Sequence, residues 1–370
     1  MGSDLRICHV VNSVRDTSMP GDLATTQAEL DAVSEVSILA WFEVEPFRND
    51  DLVDCHCLNV PRGTFRITRS QYGAATELLS GYDVVHTHHP HSGFYGKLIA
   101  TRLRKPIVNT EHNNRDGFSR KGRIANGLTN VFADRVAPVS VSVRDSSARW
   151  ERALLRDGRV QVINNGVDTE RIVAARSIDW SIHDVADVDP EAVIVGSAGM
   201  LTEQKAHEVL IEAVDRANDQ SPVPIELVIS GDGELRAELQ SRIDAAEYSD
   251  RLHLLGFLER REQVYKMMHE IDIYAMPSRW EGFCVAALEA MAVGNACIYS
   301  AIPEFEYPFE GVARFHSPDD PGALADEIVT VATDEDTRAA LAEAGRELIL
   351  DQYTIERSVE QYLDCYRAIT

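Results

Sequence analysis

Two glutamates eight residues apart, Glu281 and Glu289, stand at the front of the otherwise apolar stretch PSRWEGFCVAALEAMAVGNA (277–296). An ionised carboxylate only accepts hydrogen bonds, so a pair of them suits the hydroxyls of a sugar or a ribose. The stretch reads as a strand ending at Pro277-Ser278, a tight segment Arg279-Trp280-Glu281-Gly282, and a helix starting near Phe283. Backbone amides at Phe283 and Cys284 then form a helix N-terminus, which attracts anions. Glu289 falls about two turns into that helix. One loop-and-helix unit would offer amides for a phosphate and two acceptors for hydroxyls, a combination that suits a nucleotide-linked sugar. A plainer reading makes Glu281 a partner of the helix dipole and leaves Glu289 solvated. Residue chemistry alone leaves both open.

Other reactive side chains say less. Cys8, Cys284, Cys297 and Cys365 lie in apolar runs, and Cys55 and Cys57 form a lone C-x-C with no second pair downstream. They read as buried or half-buried thiols rather than a disulfide framework or a metal site. His86 and His88 are expected to point to opposite faces of one strand, with one lining the cleft and no metal pair between them. Asp50-Asp51 and Asp319-Asp320 fall in polar loops, and no D-x-D ends a strand, so no metal is expected.

The elements that must position these residues alternate along the chain. Strand candidates are 5–11, 36–42, 83–88, 106–110, 135–140 and 160–164, followed by 192–199, 225–230, 251–256, 271–276, 296–300 and 313–317. Helical patterns lie between most of them, among them 92–103, 142–156, 204–218, 234–247, 283–293 and 335–350. Continuously apolar strands alternating with helices mean parallel sheets covered on both faces. The α/β pattern predicts two doubly wound Rossmann-like domains facing across a cleft, with ligands at the carboxyl ends of the strands. The expected division is 1–170, 171–352 and a last helix, 353–370, crossing back to brace the first domain.

Composition narrows the partners. The net charge is −24, from 36 lysines and arginines against 60 aspartates and glutamates. Residues 1–170 hold 20 against 21, and residues 171–370 hold 16 against 39, so the acid excess is in the second half. Nucleic acid is not an expected partner of such a chain. Five lysines against 31 arginines fit either a salt-rich cytoplasm or an arginine-favouring genome. No apolar run reaches the roughly eighteen residues of a membrane span, and MGSDLRICHVV lacks the basic region of a signal peptide, so a cytoplasmic location is expected.

EGFCVAALEAMAVGNA resembles the Glu, seven residues, Glu signature of retaining glycosyltransferases of family 4, which have the two-domain GT-B fold. The usual form is E-G-F-G-x-x-x-x-E-A-x-A-x-G. Further segments resemble the family's in order and spacing: DVVHTHHPHSGFYGKLIATRLRKPIVNTEHN (83–113), VQVINNGVDTERI (160–172), GMLTEQKAHEVLIEAV (199–214), LVISGDGELRAELQ (227–240) and LHLLGFLERREQVYKMMHEIDIYAMPS (252–278). The resemblance implies that Glu281 contacts the transferred sugar, Glu289 binds the ribose hydroxyls and Lys205 holds the diphosphate. It implies that amides of Gly282, Phe283 and Cys284 touch phosphate or sugar, and that His112 faces the donor sugar across the cleft. The donor would be a UDP- or GDP-sugar, with no metal or cofactor. Transfer with retention would leave the leaving phosphate to take the proton of the attacking hydroxyl. A binding protein without turnover is the alternative of a different class.

The chain departs from the family at several points. Met200 stands where an arginine usually follows the glycine of G-R-L, so one cation is missing, and Arg279 is a candidate replacement. The first-domain phosphate loop, usually G-G, keeps only Gly21 in SMPGDLA (18–24), and Cys284 replaces the glycine after E-G-F. The segment after strand 296–300 reads AIPEFEYPFEG, with Glu304 or Glu306 as the echo of G-G-x-x-E. The acceptor, a glycan or lipid-linked glycan, would bind the first domain. There Arg62, Arg66, Arg69, Arg115, Arg120, Lys121 and Arg123, interleaved with Phe65 and Phe118, could meet an anionic lipid surface at the inner face of the membrane.

Overall fold

The computed structural model describes residues 5–16, 18–115, 120–155 and 158–370, with Arg120 and Lys121 described by their backbone alone. The chain divides into two compact units, Met1–Gly166 with Ile355–Thr370, and Val167–Thr354.

The first unit is built on strands β1 (Leu5–Val14), β2 (Val33–Val44), β3 (Asp54–Cys57), β4 (Val84–Thr87), β5 (Ile107–Glu111) and β6 (Arg135–Pro138). They form one parallel sheet in the order β3-β2-β1-β4-β5-β6. The buried β-branched and aliphatic residues of β1, β2 and β4 fit a sheet whose two faces are both covered. Two expectations are corrected. The stretch 160–164 is not a strand: it makes a single bridge, Val160 to Val136. The sixth strand is instead DCHC, a four-residue edge strand whose half-exposed residues carry no apolar run. Helix 142–156 is two shorter ones, Val141–Asp145 and Arg149–Leu154.

The last helix, Ile355–Arg367, belongs to this unit. Val359, Tyr362, Leu363 and Tyr366 recur at helical spacing and bury one stripe in the core with Ile7, Val11, Ile38 and Val108.

The second unit contains β7 (Val193–Ala198), β8 (Ile225–Ser230), β9 (Leu252–Gly256), β10 (Ile273–Met276), β11 (Ala296–Ser300) and β12 (Arg314–His316). All pairs are parallel, in the order β9-β8-β7-β10-β11-β12. Each sheet therefore reverses its strand order once, at β1/β4 and at β7/β10, where doubly wound sheets open a crevice at their carboxyl ends. The functional candidates of each unit collect at these points. Among the described residues, no helix is long and apolar enough to cross a membrane.

Candidate active site

In the second unit, β10 ends at Met276 and the chain passes through Ser278–Cys284 into the helix Val285–Val293. Cys284 is the N-cap, and its side chain caps no amide of the first turn. Glu281, 5% exposed, lies beside this helix start. Its Oε1 accepts from Lys205 Nζ at 2.6 Å and from Ser278 Oγ at 2.7 Å, and its Oε2 accepts from Gln204 Nε2 at 3.3 Å. Lys205 ends the 3₁₀ turn Glu203–Lys205 that follows β7. Burial works against its charge, but Cys284 and Glu281 outweigh burial and hold the ammonium above the usual lysine range. Lys205 Nζ also lies 3.9 Å from Cys284 Sγ, whose thiol burial pushes up to about 11. The two strands flanking the switch point thus deliver a cation, a carboxylate and a helix N-terminus to one place. Gly282 and Phe283 are buried in the same loop.

The loop carrying Lys205 is held tightly. Ala206 has φ 51°, a left-handed conformation that costs a non-glycine residue roughly 1 kcal/mol. Gly231 has φ +145°, and a Cβ there would lie 1.9 Å from the Gly199 carbonyl oxygen. The turn after β8 therefore presses its backbone against the turn after β7.

Glu289 sits on the helix Val285–Val293 as expected, but it is already engaged. Its Oε1 accepts from Arg261 Nη2 at 2.6 Å, Arg261 Nε at 3.2 Å and Tyr265 Oη at 2.9 Å. All three side chains are buried. Sequence reasoning missed Arg261 and Tyr265. An arginine opening a polar helix looks like a surface residue, and only the (i, i+4) pairing with an aromatic on one face hinted otherwise.

Arg279, the candidate second cation, is engaged by acceptors of its own unit. Its guanidinium donates to Asp319 Oδ1 (2.7 Å), Glu208 Oε1 (2.7 Å) and the Glu203 carbonyl (2.6 Å). Two carboxylates already match its charge, and it ties the Lys205 turn to its surroundings. Met200 is 67% exposed.

In the first unit, His112 follows β5 and is half-buried. Its Nε2 lies 3.1 Å from His88 Nδ1, and burial pushes its pKa down to about 4. His86 and His88 do not face apart: residues two apart on a strand share a face, and their ring centroids are 4.1 Å from each other. Gly21 follows β1 and opens the next helix. It lies in the first turn of the helix Met19–Ala28, where a Cβ would meet Val14 Cγ2 at 3.3 Å and Phe47 Cδ2 at 3.4 Å. Its smallness serves helix-on-strand packing.

Part of the expected basic surface is interior. Arg115, 4% exposed, pairs with Glu111 (2.6 Å) and Glu151 (2.9 Å), and Arg123 donates to the Arg115 carbonyl. Arg62, Phe65, Arg66 and Arg69 are exposed. Phe118 and the side chains of Arg120 and Lys121 lie outside the described residues.

Two family models match consecutive parts of the chain: Glycosyltransferase Family 4 over residues 31–171 and Glycosyl transferases group 1 over residues 179–348. The chain is a family 4-like glycosyltransferase of the GT-B fold. This glycosyltransferase is 28% identical to the Escherichia coli UDP-Gal:alpha-D-GlcNAc-diphosphoundecaprenol alpha-1,3-galactosyltransferase over 60% of its own length and 58% of that protein's. It is 22% identical to the Escherichia coli O-antigen biosynthesis glycosyltransferase WclY over 98% of both chains. Its fold matches the crystal structure of Anabaena HepE in complex with UDP and glucose, with a TM-score of 0.79 at 18% identity, covering 98% of this chain and 100% of that one. Sucrose-phosphate synthase from Thermosynechococcus elongatus matches with a TM-score of 0.76 at 18% identity over 98% of each chain.

Proposed function

We propose that this glycosyltransferase moves a hexose-type sugar from a UDP- or GDP-sugar to a hydroxyl of a glycan or lipid-linked acceptor in cell-surface glycan synthesis, with retention at the anomeric carbon. The observation that carries this reading is the joining of Lys205 to Glu281 at 2.6 Å beside an uncapped helix start, with Glu289 on the same helix. Glu281 is the counter-ion of Lys205. A bound diphosphate would share that cation and take the first-turn amides, placing positive charge where the leaving group develops negative charge. Glu281 would then accept from a hydroxyl of the transferred sugar, Glu289 would accept from the ribose, and His112 would contact the sugar. The acceptor hydroxyl attacks from the face the leaving group departs, and a phosphate oxygen takes its proton. Such catalysis is electrostatic and positional, and no divalent metal has a step in it.

The lipid-linked acceptor in the name of one Escherichia coli relative and the O-antigen role in that of the other support an acceptor of that class. Exposed Arg62, Arg66 and Arg69 around Phe65 suit contact with an anionic lipid surface, at the inner face of the membrane in the cytoplasm.

The test is a screen of UDP-, GDP- and ADP-sugars with a diphosphate-lipid-linked sugar acceptor, in EDTA, with the product's anomeric configuration read by NMR. Transfer with retention is expected. Lys205→Ala should lower kcat about 100-fold or more with every donor accepted. Donor binding without transfer would favour the binding-protein reading, and full turnover in Lys205→Ala would show that the diphosphate is neutralised elsewhere.

A further inference from the structure

His112 ends a buried chain of hydrogen bonds that the proposed mechanism does not use. Gln27, on the helix Met19–Ala28, places Oε1 at 2.8 Å from His9 Nε2 on β1. His9 Nδ1 lies 2.9 Å from His88 Nε2, just past β4, and His88 Nδ1 lies 3.1 Å from His112 Nε2, just past β5. A second branch leaves the same carboxamide. Gln27 Nε2 donates to Tyr366 Oη at 3.2 Å, and that oxygen lies 2.7 Å from His86 Nδ1. His86 Nε2 lies 2.7 Å from Thr110 Oγ1, which lies 2.8 Å from Tyr362 Oη. His9, Gln27, His86 and His88 are all at most 2% exposed.

The orientation of the Gln27 carboxamide, with Oε1 toward His9 and Nε2 toward Tyr366, sets the polarity of this chain. Burial pushes the His9 ring down to about 4, and His86 and His88 lie well below the ordinary histidine value, so all are neutral at pH 7. A neutral imidazole has one N–H and one lone pair, so each ring passes the direction of its bond to the next. The carboxamide oxygen of Gln27 can only accept. His9 therefore carries its proton on Nε2 and accepts at Nδ1, and His88 donates from Nε2 and accepts at Nδ1. His112 must then donate from Nε2, which leaves Nδ1 as a lone pair. On the other branch the carboxamide nitrogen can only donate, so Tyr366 gives its own proton to His86 Nδ1 and His86 gives its proton to Thr110. Turning the carboxamide over would reverse every bond on both branches, and His112 would present an N–H at Nδ1 instead.

Ligand atoms of His9, His86 and His88 lie within 4.8 Å of one another, a spacing that a metal ion could use. All six ring nitrogens of the three are engaged in the bonds above, which makes the group a hydrogen-bond wire. We infer that Gln27 is a positioning residue that fixes, through His9 and His88, the tautomer of His112, so that His112 offers Nδ1 as an acceptor to a substrate hydroxyl. The last clause rests on the proposed contact between His112 and the transferred sugar; the tautomer itself does not.

The test uses the full chain labelled with 15N-histidine, without ligand. Histidine ring 15N shifts separate protonated from lone-pair nitrogens, and His112→Gln assigns the resonance. At pH 7, His112 should be protonated at Nε2 and bare at Nδ1; protonation at Nδ1, or an averaged shift, would overturn the inference without any further variant. Gln27→Met, similar in size but with only a weak thioether acceptor and no donor, should mix the His112 tautomers and lower kcat about tenfold with donor KM within about twofold. Gln27→Glu, whose oxygens accept from both neighbours, should restore the tautomer and most of kcat. A wild-type His112 tautomer in Gln27→Met would sink the relay. A mixed tautomer with unchanged kcat would leave the relay standing and remove the sugar contact of His112.

Discussion

Glu289 and Arg261 are both less than a tenth exposed, so the carboxylate proposed to bind a ribose also neutralises a buried guanidinium. Removing one partner of a buried pair leaves an uncompensated charge and costs about 3–5 kcal/mol, whereas replacing both by apolar groups is often neutral. Glu289→Ala is therefore expected to lower the urea midpoint and weaken donor binding together. The pair Arg261→Met with Glu289→Leu should recover most of the stability while donor affinity, followed by calorimetric titration with UDP and GDP, stays weak. Affinity returning along with stability would show that Glu289 serves only the fold. Arg279 likewise stands beside the glutamate loop, and its carboxylate partners, Asp319 and Glu208, lie forty and seventy-one residues away in sequence.

At the scale of elements, the Lys205 turn depends on its contact with the turn after β8. Gly231→Ala would force a Cβ to 1.9 Å from the Gly199 carbonyl, so one turn must move. A loss of roughly 2–4 kcal/mol is expected, with kcat falling alongside as Lys205 is displaced; thermal unfolding and single-turnover rates measure both, and an unchanged melting temperature would contradict the close approach. The His9 wire predicts a pH effect. Its folded pKa of about 4 lies below the ordinary 6.5, so the unfolded chain takes up a proton first as pH falls. Stability from this residue is complete above 6.5 and is lost from 6.5 down to about 4, amounting to about 3 kcal/mol. The urea midpoint should drop between pH 7 and 5, above the carboxylate range, and His9→Gln should remove its share of that drop, the rest coming from His86, His88 and His112, which burial also holds below the ordinary value. Strands with continuous apolar runs, such as β1, β8 and β11, were legible from sequence because burial on both faces writes the pattern directly. DCHC was not, because an edge strand of four residues needs its neighbour β2 more than its own hydrophobicity. At the site, the loop and helix of Glu281 and Glu289 were legible from local order. Gln27, His9 and Arg261 were not, because their meaning lies in partners dozens of residues distant.

Across the whole molecule the charge follows the division into units. The first unit holds 22 lysines and arginines against 22 aspartates and glutamates, and Val167–Thr354 holds 14 against 38, so the full −24 is on the unit that carries Lys205, Glu281 and Glu289. A donor diphosphate is an anion approaching an acidic unit. In the proposed donor site its local attraction would come from Lys205, whose side chain is 16% exposed, and from first-turn amides, while the opposing field comes from many exposed carboxylates. Salt screens these unequally: the Debye length shrinks from about 30 Å at 0.01 M to about 10 Å at 0.1 M, which removes long-range repulsion before it weakens a sheltered short-range contact. Donor kcat/KM is therefore expected to rise, by roughly two- to fivefold, as KCl goes from about 0.01 to 0.2 M, and the melting temperature of the acidic unit should rise with it. An anion binding at an exposed cationic site shows the opposite trend. A steady fall of kcat/KM over the same range would mean that the carboxylates do not reach the diphosphate site, and that its field is set by Lys205 and exposed cations near it.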